Sequence, residues 1–131
     1  MAFKLGDKPY NFIEGGQIKK KFNQLNIVRE DLAPGVMGEA IDENTISIDI
    51  NVPEDSEAFK KAVAHEGHHA MEMKMNKIDY GDDYIRDGKK TYHRYTNNDG
   101  EDVIMYNGKE VQVGSNELPW EKRAVNAEKN V

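Results

Sequence analysis

The chain has 131 residues, a hydrophobic fraction of 37% and no cysteine, which predicts one domain with a modest core and excludes disulfides and thiolate metal ligands. Its 18 Lys and Arg against 24 Asp and Glu give a formal net charge of −6, which argues against general nucleic-acid or anionic-membrane binding. No apolar run approaches the ~20 residues of a membrane span, and Met1-Ala2-Phe3-Lys4-Leu5-Gly6-Asp7 lacks the apolar centre of a secretory signal, so the expected compartment is the cytoplasm.

The first expected element is a short helix over 18–25, with Lys19-Lys20-Lys21 as a solvated run. Val36 to Ile41 and the run Ile46 to Val52 then flank the turn Asp42-Glu43-Asn44. In the second run Ile46, Ile48, Ile50 and Val52 alternate with Ser47, Asp49 and Asn51, so the pair predicts a hairpin of half-buried strands. After Pro53, Asp55 or Ser56 supplies a helix N-cap, and a proline-free run continues from Glu57 to about Met75. The stretch 79–100 is rich in Asp, Gly, Asn and Tyr and reads as loop. Val103-Ile104-Met105-Tyr106 and Lys109-Glu110-Val111-Gln112-Val113 flank Asn107-Gly108, a strong hairpin signal. Leu118 to Glu128 reads as a short helix with Pro119 in its first turn. The expected fold is α+β: a single domain, 1–131, with a motif helix, a small antiparallel sheet, an inserted hairpin and a C-terminal helix.

Within the long helix, His65-Glu66-Gly67-His68-His69 fits the H-E-x-x-H pattern. Residues i and i+4 lie one turn apart on one helix face, so two imidazoles can close on one metal ion. Zinc held there lowers the pKa of a bound water to about 7, and a neighbouring carboxylate can take its proton. At 100° per residue, Ala58, Ala62, His65, Glu66 and His69 share one side of the helix, whereas Glu57, Lys60, Lys61, His68 and Met71 fall on the other. His68 is therefore expected to be a bystander. The competing account, a coincidental motif of hydrogen-bonded core histidines, predicts no zinc in protein purified without added metal. A di-iron carboxylate site would need a second Glu-x-x-His, and Thr91-Tyr92-His93 supplies none.

Catalytic zinc sites usually have three protein ligands and one position for water. The C-terminal helix offers Glu121, which shares a stripe with Ala124, Val125 and Glu128 by the i, i+3, i+4, i+7 rule. Glu117 and Glu128 lie on nearly the same side, so the pattern alone leaves three carboxylates as candidates.

With these residues in place, the chain resembles the gluzincin metallopeptidases, the thermolysin-like class in which H-E-x-x-H is completed by a glutamate on a later helix. Their third-ligand helices commonly read Glu-x-x-Ala, as Glu121-Lys122-Arg123-Ala124 does. The resemblance covers Asp55 to Met75 and Leu118 to Glu128, and it extends to small single-domain proteins of this kind in bacteria and their phages. It implies one zinc ion per chain held by His65, His69 and Glu121, with Glu66 as general base. The familiar Asp four residues after the ligand Glu is replaced by Val125, leaving Glu128 or Glu117 to support a histidine. Metzincins need a third histidine soon after the second, and peptide deformylases a cysteine ligand; neither is present.

The expected function is hydrolysis of peptide bonds through a metal-bound water activated by Glu66, with peptide or protein segments as substrates. By analogy, the strand Ile46 to Val52 has an edge that binds extended peptide. Tyr92, His93, Arg94 and Tyr95 are the candidate donors to the oxyanion. The alternative is a non-catalytic, zinc-stabilised binding or assembly module of a bacterium or phage, which a fourth protein ligand such as Glu128 or His93 would favour.

Overall fold

In the alternating run, Ile46 and Ile48 are fully buried, and so is Ser47 between them, whose hydroxyl donates to Glu30 Oε1 at 2.7 Å. A strand covered on both faces belongs in the middle of a sheet. The computed structural model, which describes residues 25–131, places it there. β3 (Thr45–Asp49) lies between β1 (Asn26–Glu30), parallel to it, and β2 (Gly38–Asp42), antiparallel to it. The expected hairpin is thus present, but its sheet is mixed and its outer edge belongs to β2, not to the Ile46–Val52 run. β3 also stops at Asp49, because that carboxylate accepts from the amides of Leu32 and Asn51 and turns the chain, leaving Ile50 exposed. The helix expected over 18–25 and the lysine run lie outside the described residues, apart from Leu25, which is buried.

The long helix, α1 (Glu57–Lys74), starts as expected: Ser56 Oγ accepts from the Phe59 amide at 3.0 Å. Ala62 and Ala70 let it lie close on Ile46 and Ile48, with Leu25 and Val52 completing this half of the core.

The segment expected to be a loop over 79–100 is instead most of a sheet. β4 (Ile78–Tyr80), β5 (Tyr84–Asp87) and β6 (Lys90–Thr96) continue into β7 (Asp102–Tyr106) and β8 (Lys109–Gln112), a five-stranded antiparallel meander. One face carries Ile78, Ile85, Ile104 and Val111, which bury Leu118 and Trp120 of the C-terminal segment. The other face holds Tyr95, whose hydroxyl donates to Glu110 Oε2 at 2.7 Å, and His93 stacked on it, whereas Arg94, in register with Ile104, lies on the core side and donates to Asp102. An antiparallel sheet tolerates such a wet face, and its polar residues are what made the segment read as loop. The hairpin at Asn107-Gly108 has positive φ at both residues, 50° and 82°, as a type I′ turn requires.

α2 (Pro119–Glu128) packs against α1. It has no side-chain N-cap and only 10 residues, so tertiary contacts must hold it. Trp120 supplies the apolar contact. The polar clamp is Arg123, which donates to both oxygens of Glu72 on α1 at 2.7 and 2.8 Å and also to Asp87 on β5. His68, expected to be a bystander and not a ligand, lies outside the candidate metal group and binds the same carboxylate at 2.8 Å.

Burial alone would raise the Glu72 carboxyl, but the hydrogen bonds from His68 and Arg123 and the Arg123 charge outweigh it and hold the group at about 2. Its folded pKa lies below the unfolded value, so the stabilisation is complete above about pH 4.5 and is lost as pH falls from there toward 2. The shift corresponds to about 3 kcal/mol. Denaturant unfolding across this acid range should show the wild type losing about that much more stability than Glu72→Gln.

Candidate metal centre

The contact of α1 with α2 brings residues 52 and 56 positions apart into one cluster. His65 Nε2 and His69 Nε2 lie 3.0 and 3.2 Å from the same atom, Glu121 Oε1. The ligand atoms of the three residues all fall within 4.8 Å of one another. Zinc bonds of about 2.0–2.2 Å at tetrahedral angles set ligand atoms roughly 3.3–3.6 Å apart, so this donor set fits the ion with small side-chain rotations. Ala124 is fully buried one turn after Glu121, where a larger side chain would hold the helices apart.

The far nitrogens are also occupied. Glu128 Oε2 sits 2.7 Å from His65 Nδ1, and the Tyr80 hydroxyl lies 3.4 Å from His69 Nδ1. A carboxylate on Nδ1 fixes the His65 tautomer and ring and leaves Nε2 for a metal.

Electrostatics favour a cation. Burial lowers the His65 imidazole, but hydrogen bonds and charge from Glu121, Glu66 and Glu128 prevail and raise it to about 9. The negative field that retains a proton there would equally retain a divalent ion. Burial raises the Glu121 carboxyl, yet the two histidines more than offset this and hold it at about 2. Glu66 differs: burial lifts its carboxyl above the usual range, reinforced by Glu121 and Glu39 and opposed by His65 and His69.

The centre opens into a groove of about 1430 Å³ between β2, α1 and β4. Gly38 on β2 passes directly over Glu66. A side-chain carbon there would lie 2.9 Å from Glu66 Cγ and 3.1 Å from the Ser47 carbonyl oxygen, so glycine is required for strand and base to approach.

Of the residues expected from sequence, His65, Glu66, His69 and Glu121 come together, and Glu128 supports His65. Glu117 does not join them; it pairs with Lys109 at 2.7 Å on the surface. Among the four oxyanion candidates only Arg94 lines the groove, and its guanidinium is engaged by Asp102 and the Gly81 carbonyl. Tyr92 packs on Trp120 and Tyr106, while His93 stacks on Tyr95. Tyr80, Arg123 and Gly38 escaped sequence reasoning. The only local signal was for Tyr80, which alternates with Ile78 just after the motif helix.

Compared with protein-family models, curated proteins and solved structures, the chain matches none. The site therefore rests on its own geometry. If Glu128 orients His65 toward a metal, Glu128→Gln should weaken zinc affinity by about 10–100-fold in a chelator competition titration, a larger effect than the lost His65–Glu128 contact produces in metal-free thermal unfolding.

Proposed function

We propose that the protein is a zinc-dependent peptidase whose centre is of the gluzincin kind, with His65, His69 and Glu121 as ligands and Glu66 as general base. The observation that carries this reading is the convergence of both Nε2 atoms on Glu121 Oε1, with the half-buried Glu66 beside them in the lining of the same groove.

Zinc, when bound, would supply Lewis acidity, polarising a substrate carbonyl and lowering the pKa of a water. The chain's own residues account for the rest. Glu66 is placed to accept a proton from the attacking water and to return it to the leaving amine. Glu128 and Tyr80 hold the Nδ1 sides of His65 and His69, which would leave both Nε2 atoms free to hold the metal. No described strand pairs with the outer edge of β2, which borders the groove and can take an extended peptide by strand addition. This moves the peptide-binding edge from the Ile46–Val52 run to β2.

The group that can hold a metal among the described residues has three members, the ligand count of catalytic zinc sites. The residues named as a possible fourth ligand are engaged elsewhere, Glu128 on His65 Nδ1 and His93 on Tyr95. This supports turnover over a purely zinc-stabilised assembly module. Glu66→Gln should keep its zinc and lose at least about 10²-fold in peptide cleavage, measured on a quenched-fluorescence peptide library. Full activity in that variant would refute the mechanism.

A further inference from the structure

Charge is unevenly distributed around the groove. Its lining carries Glu39, Asp42 and Glu43 on β2 and the following turn, Glu57 in the first turn of α1, and Asp79 on β4. The cations of the lining are Lys61 and Arg94, and Arg94 is already held by Asp102 at 2.7 Å. Among the described residues, no Lys, Arg or His forms an ion pair with any of the five carboxylates. Two of the five have neutral donors only: Asp42 accepts from the Asn44 amide and Asp79 from the Tyr84 hydroxyl.

Zinc does not cancel this excess. Its two positive charges are matched by Glu121 and Glu66, so among the described residues of the lining five rim carboxylates face Lys61 and an Arg94 already paired with Asp102. A cleft lined by one sign of charge focuses its field and concentrates ligands of the other sign.

The second observation is where the charges sit. Glu39 and Glu43 flank the edge of β2 that no described strand pairs, whose Gly38 abuts Glu66, and Glu57 lies across the groove at the start of α1. A peptide extended along that edge would present alternate side chains to opposite sides. We infer that the groove accepts extended peptide segments bearing lysine or arginine, whose side chains are drawn to Glu39, Glu43 and Glu57 on either side of the centre. This rests on the peptidase reading and gives it a substrate class.

The test uses zinc-loaded Glu66→Gln protein, with metal content verified, so that binding is read without turnover. Two labelled peptides, identical except that flanking positions are Lys in one and Glu in the other, are titrated by fluorescence anisotropy. The Lys peptide should bind about tenfold tighter at low salt, with the ratio falling toward one in about 0.5 M NaCl. Replacing Glu39, Glu43 and Glu57 together by Gln should bring the ratio near one at low salt with zinc content unchanged. Equal or tighter binding of the Glu peptide, or binding of neither, overturns the inference. Charge-selective binding by wild-type protein that cleaves neither peptide would defeat the peptidase reading and leave the cationic groove standing.

Discussion

Everything at this site depends on the seating of α2 against α1. Glu121 belongs to a 10-residue helix without a side-chain cap, so the position of its carboxylate is set by what α2 packs on. Two contacts flank it in sequence. Trp120 is fully buried against the five-stranded sheet, and Arg123 grips Glu72 and Asp87. Burying charges such as Glu72 and Glu121 is costly unless each is matched, and removing one partner of such a pair typically costs about 3–5 kcal/mol. The same matching that stabilises the helix pair therefore selects one arrangement of the ligand residues.

The two sheets serve the two helices separately. The mixed sheet buries Ile46 and Ile48 under α1 and presents the edge of β2 to the groove. The meander buries Leu118 and Trp120 and so carries α2. His65 and His69 rest on one support and Glu121 on the other. The histidines and the carboxylate meet only when both halves are folded, so a metal ion bridging them would share in holding the halves together.

How much of this was legible in the sequence depended on how local each signal is. The histidine pair and its helix were readable because one turn of helix fixes their relation, and Ser56 marks the start. The Asn107-Gly108 hairpin was readable for a similar reason, since two residues with positive φ define the turn. Glu121, Glu117 and Glu128 were not separable by periodicity. Only the packing of α2 distinguishes a ligand candidate from a supporting residue and from a surface partner of Lys109. The strands β4 to β6 were hidden because their outward residues are polar and their turns rich in Gly, Asn and Asp. β1 pairs in parallel with a strand about twenty residues away, a contact without a local mark. Tyr80 and Arg123 act through side chains reaching across elements, which no spacing rule encodes.

The most direct measurement is metal content per chain by elemental analysis, on tag-free wild type and Glu121→Ala purified without added metal. About one zinc per chain in wild type and markedly less in the variant is the expected result for a site of three protein ligands. No zinc in wild type and none taken up on titration, or equal zinc in both proteins, would contradict the centre built from His65, His69 and Glu121.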